Sequence, residues 1–447
     1  MNQLYAGFGR VNVTPMMGIK MRGYYSIRLA EAVRDDLEIN ALAVACGDSK
    51  ALLISLDNAA VMRECALAFK DHISEVTGVP KEAIFIHATH THTGPFLKKT
   101  TDDPLEKEYF QFVYRRMADV ATFALADLKP ARMGYGVGKA PEIAFIRRFR
   151  MKDGTVQTNP GINNPDIIEP VGEPDERVNV LRFDREGGEP LVLVNYGNHP
   201  DVIGGCRISA DWPGFLRREV EKAMPEVKCI FFNGCQGDVN HINVHPTLTE
   251  ADQMSESGKG GGYEHSKYMG RALAGTVLQV YDKVKYAEVD SIRFKQNTIS
   301  VPANVPDPKD MPEAHRIYDL YIAGRKEELP YTGMMLTTVV GEAEIRVLLE
   351  HGPEFFEMDL SAVAIGNVVL IGTPGESFVG IGLALKETDG WDLVLPTCIT
   401  NGYHGYFPMQ EAYDEGGYEA RSSEFKPGVA ELIIAEGQKL MDELLVK

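Results

Sequence analysis

The stretch Ala83–Pro95, "AIFIHATHTHTGP", passes from an apolar run into three histidines, His87, His90 and His92, and stops at Gly94-Pro95. A short apolar run closed by a turn reads as a buried β-strand. If the extended backbone continues through the threonines, alternate side chains share a face. His90 and His92 then point one way and Thr89, Thr91 and Thr93 the other. His87, three residues from His90, faces away and reads as scaffold. Histidines at the C-terminal end of a strand lie where open α/β sheets bind ligands. Two imidazoles two residues apart suit a metal, or one metal ligand beside one base. A lone histidine there would read as a polar sheet edge.

Other strand-like runs are "INALAVAC" (39–46), "ALLISLD" (51–57), "VNVLRFD" (178–184), "PLVLVNYG" (190–197), "KCIFFNG" (228–234), "DLSAVAIG" (359–366), "NVVLIGTP" (367–374) and "DLVLPTCI" (392–399). Helix-like stretches separate several of them. "MRECALAFKDHISEVTG" stops at Gly78, and "PLEKEYFQFVYRRMADVATFALADL" opens with proline and early acidic residues. The alternation predicts an α/β protein, a large mixed β-sheet covered by helices. No linker or repeat divides the chain, so residues 1–447 read as one catalytic unit. Residues 240–267 read as a mobile loop, and 303–332 as a helical insertion placed to cover a cleft.

The chain has 447 residues, 44% of them hydrophobic, and a net charge of −18. An acidic surface repels phosphate backbones, which excludes nucleic-acid binding. No apolar run approaches the roughly 18 residues needed to span a bilayer, so stable membrane insertion is not expected. The start, "MNQLYAGFGRVNVTP", lacks the features of a signal peptide, and a cytoplasmic location is expected. The six cysteines form no CxxC pair and read as reduced thiols. Cys235, in the glycine-rich turn "FFNGCQGD", has no histidine motif to activate it as a nucleophile.

A zinc hydrolase needs three or four ligands. "LVLVNYGNHPDV" puts His199 at the end of another apolar strand. "VVLIGTPGESF" puts Glu376 after a strand and at the first turn of the next helix, where a carboxylate also suits the helix dipole. Three such residues at strand ends carry more weight together than singly.

With these residues in view, the chain resembles the neutral/alkaline non-lysosomal ceramidases, zinc-dependent amidases that release fatty acid from ceramide. "ATHTHTGP" resembles that family's first histidine signature, with Thr93 in place of its usual serine. "NHP" at His199, "TPGESF" at Glu376 and the turn "NGCQGDVN" (Asn233–Asn240) resemble further segments. "GYHGYFPMQEAYDEGGYEA" resembles its tyrosine segment, with Tyr406 and Tyr418 twelve residues apart. The resemblance implies that Zn2+ is held by His90, His199, Glu376 and Tyr406. It also implies that His92 acts on the reacting carbonyl, that Tyr418 contacts the amide, and that an arginine of "AFIRRFR" meets the substrate. Arg147 is preferred over Arg148 and Arg150, although Ile146 stands where the family has asparagine. The expected substrate is a small-molecule or lipid-like N-acyl compound.

Lesser candidates are Asn233 and Asp238 as the floor of the site, Asp57 as a partner behind it, and His241 and His245 near substrate. Asp211 reads as a helix N-cap. The rival functions are an ester or glycosidic hydrolase on an eight-stranded parallel barrel and a non-catalytic binding protein.

Overall fold

The computed structural model describes residues 2–95, 97–247 and 261–445. Residues 248–260, the middle of the expected mobile loop, lie outside the described residues.

The largest sheet has nine strands. Along it run Lys228–Asn233, Leu191–Tyr196, Arg177–Arg185, Lys129–Lys139, Leu4–Asn12, Glu38–Cys46, Ser49–Leu56 and Ile84–Ala88, with Lys285–Tyr286 attached to Lys129–Lys139. Pairing is parallel at the two ends of this order and antiparallel between. The sheet is therefore mixed, as expected, and the parallel-barrel alternative falls. The ends approach each other: Ser55 Oγ donates to the Phe231 carbonyl at 2.6 Å, and the Asn233 N–H donates to His87 Nε2 at 2.9 Å.

Two central strands, Leu4–Asn12 and Lys129–Lys139, were not expected from the apolar pattern. Their glycines, Gly7 and Gly9 in one and Gly134, Gly136 and Gly138 in the other, alternate where apolar side chains would stand. The reason is close helix packing. A Cβ on Gly7 would sit 2.1 Å from the Ala124 carbonyl oxygen of the helix Pro104–Ala126. One on Gly136 would sit 2.6 Å from Val280 of the helix Tyr263–Tyr281. Glycine lets the backbones approach where a larger residue would hold them apart.

A second sheet orders Ile292–Pro302, Phe355–Ile365, Val368–Gly372 and Leu393–Thr397. The C-terminal helix Val429–Asp442 buries Ile433, Leu440 and Met441 in the same cluster as Val369 and Ile371. Burying an aliphatic side chain of this size contributes about 1.5–3 kcal/mol. The helical insertion extends past residue 332, as Met311–Ile322 and Gly333–Leu349. The second of these helices packs on Tyr25 and Tyr418, and a Cβ on Gly341 would lie 2.5 Å from Tyr25 Oη. Among the described residues, no helix is long and apolar enough to cross a membrane.

Candidate metal centre

The strand carrying the first histidines ends at Ala88, earlier than alternation implied. His90 and His92 therefore do not share a strand face; they stand on the loop beyond it. His90 takes a left-handed backbone, φ 75°. Neighbouring loops hold it there: the His90 N–H donates to the Asn58 carbonyl at 2.8 Å, and the His92 N–H to the Pro200 carbonyl at 3.0 Å.

His90 Nδ1 lies 2.6 Å from the Ala59 carbonyl, and His199 Nδ1 lies 3.0 Å from the Gln236 carbonyl. A carbonyl can only accept, so each Nδ1 carries a proton, and each Nε2 is turned inward. His199 follows the strand Leu191–Tyr196, as expected. Glu376 does not open a helix; it forms a two-residue strand with Ser377, ahead of the helix Val379–Lys386. That strand runs parallel to Tyr406–Phe407, with Glu376 in register with Tyr406.

His90 Nε2 and His199 Nε2 are 3.3 Å apart, and Glu376 Oε2 lies 3.4 Å from the first and 3.3 Å from the second. Ligands about 2.0–2.1 Å from a tetrahedral ion stand about 3.3–3.4 Å from one another. Among the described residues, Glu376 Oε2 has no partner at hydrogen-bond geometry. Two ring nitrogens and a carboxylate oxygen converge here as a cradle for a cation. His92 Nε2 lies 3.2 Å from His90 Nε2. The buried group His90, His92 and His199, with its ring nitrogens within 4.8 Å of one another, could hold a metal ion.

Burial pushes His92 well below the usual imidazole range, helped by His90. Burial, then the charge of Arg147, likewise lowers His199. Both are thus neutral, the form that binds metals. Burial opposes ionisation of Glu376, yet the His90 and His199 imidazoles hold its carboxyl well below the ordinary value. His92 Nδ1 has no hydrogen-bond partner among the described residues, and the ring makes its contact with His90 through Nε2.

Tyr406 is buried beside this cluster. The Tyr418 ring stands edge-on to it at 5.4 Å, and the Arg147 guanidinium lies 5.4 Å from its centre. Burial raises the Tyr406 phenol well above its usual value and pushes Tyr418 up to about 12. Arg147 Nε donates to Glu419 at 2.6 Å and one Nη to the Gly237 carbonyl at 2.6 Å. Arg148 and Arg150 instead bind Glu415.

Asn233 knits the floor together, donating to the carbonyls of Thr89 and Asn198 at 3.2 and 3.1 Å. Asp57 accepts two hydrogen bonds from the buried Arg217 and one from Thr89 Oγ1, behind His90. Asp238 accepts from the Val379 N–H at 2.7 Å. Asp211 is not an N-cap: it lies inside the helix start at φ 54° and accepts from Ile203, Trp212 and Ser266. His241 faces Asp201 at 3.2 Å, while His245 is exposed. His87 is scaffold, accepting from Asn233 and donating to the Cys398 carbonyl at 2.8 Å. Burial pushes the Cys235 thiol up to about 12, which removes it as a nucleophile.

Two tyrosines escaped the sequence reading. Tyr403 Oη donates to Glu376 Oε1 at 2.6 Å, and Tyr25 Oη lies 2.9 Å from Tyr418 Oη. Tyr403 shares the segment "GYHGYF" with Tyr406, so a signal was present and only one of the pair was taken up.

No family model and no curated protein matches the chain. Solved structures do. A crystal structure of neutral ceramidase from Pseudomonas aeruginosa aligns with a TM-score of 0.73 at 16% identity, covering 100% of this chain and 76% of that one. A ceramidase complexed with C2 aligns with a TM-score of 0.75 at 16% identity and the same coverage. The chain has the fold of these ceramidases, which supports the resemblance carried by the motifs.

Proposed function

We propose that this protein is a zinc-dependent hydrolase cleaving the amide bond of an N-acyl compound. The observation that carries the reading is the buried triangle of His90 Nε2, His199 Nε2 and Glu376 Oε2, with edges of 3.3–3.4 Å. The residues present fit the ion: two imidazoles whose Nδ1 atoms are held by carbonyls, a carboxylate with one oxygen turned to them, and Tyr406 in register with Glu376. Bound there, zinc would polarise a carbonyl and acidify water.

The remaining steps belong to side chains. His92 is neutral and free at Nδ1, so it takes the proton of the attacking water and returns one to the leaving nitrogen. Tyr418 keeps its proton and donates to the carbonyl oxygen as negative charge develops there. Arg147 has its Nε and one Nη engaged. Its charge faces the Tyr406 ring and favours the ionised tyrosine oxygen. Residues 1–447 act as one catalytic unit. The substrate is a small or lipid-like N-acyl compound.

Elemental analysis of the purified protein, followed by a hydrolysis screen, tests this reading. The screen spans N-acyl amino acids, N-acyl sphingoid bases, simple esters and glycosides. Stoichiometric zinc and release of a free amine are expected. Cleavage confined to esters or glycosides, or no cleavage by metal-loaded protein, would overturn it.

A further inference from the structure

A pocket of about 450 Å³ adjoins the histidine cluster, with Tyr24, Arg28, Arg34, Asp201, His241 and Tyr263 in its walls. Two of its lining residues touch His92. The Tyr24 ring stands edge-on to the His92 ring at 5.4 Å, and Arg28 donates to the His92 carbonyl at 2.7 Å.

The charge of this pocket runs against that of the chain. The protein has 64 Asp and Glu against 46 Lys and Arg, so acidic partners for arginine are abundant. Among the described residues, Arg28 nevertheless donates only to carbonyls, those of Gly205, Arg22 and His92, and its Nε is buried without a hydrogen-bond partner. Burial lowers its pKa, since no carboxylate offsets the loss of solvent. Arg34 lies 4.6 Å over the Tyr263 ring, with no carboxylate partner among the described residues. The acid in the wall, Asp201, already faces His241 at 3.2 Å. Two guanidinium groups thus line one cavity with no carboxylate bonded to either among the described residues.

We propose that this pocket binds a carboxylate on the amine side of the scissile bond, which makes the substrate an N-acyl amino acid. The inference rests on the reading above, in which His92 works on an amide. In an N-acyl α-amino acid a single carbon separates the amide nitrogen from the carboxylate. The anion must therefore bind close to the reacting carbonyl, and Arg28 is hydrogen-bonded to the very residue that acts there. A guanidinium matches a carboxylate in shape and charge. A neutral amino alcohol would leave both arginines without a carboxylate partner.

The test compares N-octanoylglycine with N-octanoylethanolamine, its neutral counterpart, on the metal-loaded protein. The acid is expected to have the higher kcat/KM by at least tenfold. Arg34→Gln should raise KM for the acid about 10–100-fold, the range for losing a hydrogen bond to a charged group, and collapse the preference. Arg34→Lys should recover part of it. Melting temperatures check that both variants fold. Equal cleavage of the two amides, or a loss in Arg34→Gln that is the same for both, overturns the inference and leaves the hydrolase reading standing. If neither amide is cleaved, the hydrolase reading is decided by the wider screen above. Calorimetric titration of the same pair then decides this inference alone: binding of the acid, weakened in Arg34→Gln, supports it, and equal or absent binding refutes it.

Discussion

Tyr403 Oη donates a 2.6 Å hydrogen bond to Glu376 Oε1, which leaves Oε2 facing His90 and His199 at 3.4 and 3.3 Å. The phenol thereby chooses which carboxylate oxygen enters the metal cradle. Groups that orient a ligand from behind typically change metal affinity about 10–100-fold when removed. Tyr403→Phe is therefore expected to weaken zinc binding by that factor in a chelator competition, while the fold survives. An unchanged affinity would show that the register of Glu376 with Tyr406 suffices to aim the carboxylate.

His90 and His92 have different outer contacts, and that separates their roles. His90 Nδ1 is fixed by the Ala59 carbonyl, whereas His92 Nδ1 has no partner. His90→Ala should lose both zinc and activity. His92→Ala should keep zinc and lose about 10²–10⁴-fold in kcat, the scale of general acid–base catalysis. Metal content by mass spectrometry, set beside steady-state kinetics, distinguishes the two. Loss of zinc from both variants would instead make His92 a ligand.

Much of the site was legible because His90, His199 and Glu376 each follow an apolar strand and border a turn. Strand periodicity nonetheless accounts only in part for His90 and His92. Alternation along a strand does not bring them together, since the strand ends at Ala88. Their placement depends on backbone hydrogen bonds to Asn58 and Pro200, which are remote in sequence and invisible to periodicity. Tyr403 and Tyr406 could not be told apart by chemistry, because only a neighbour in space assigns one of them to Glu376. Glu376 itself was placed on a helix because a Pro-Gly turn followed by apolar residues reads the same whether a helix or a two-residue strand comes next.

His87 offers a test of the scaffold that does not involve zinc. Burial pushes its pKa from 6.5 down to about 3. The unfolded chain binds a proton near 6.5 and the folded chain only near 3, so the unfolded state holds more protons between those values. Stability from this residue is thus intact above 6.5 and declines as pH falls toward 3. The His87 ring resonance should remain that of neutral imidazole at pH 5 in a nuclear magnetic resonance titration. A midpoint near 6 would mean that the contact with Asn233 is not maintained.

The glycines make the sharpest stability prediction, because one helix supplies both the test and its control. Gly270 and Gly275 both lie in Tyr263–Tyr281. A Cβ on Gly270 would meet Phe215 Cβ at 2.4 Å, whereas one on Gly275 would meet nothing within 4 Å. Helix propensity favours alanine at both positions by about 0.5–1 kcal/mol. At Gly275 that gain stands alone, so Gly275→Ala should raise the melting temperature. At Gly270 the clash forces apart two packed helices, and overpacking of this kind typically costs about 1–3 kcal/mol. Gly270→Ala should therefore lower the melting temperature, as should Gly136→Ala, where the obstacle is Val280 of the same helix at 2.6 Å. The same close packing bears on the strands that the apolar pattern missed. If Gly136→Ala were neutral, close packing could not be what places glycine at alternate positions of Lys129–Lys139, and the strand would need another explanation.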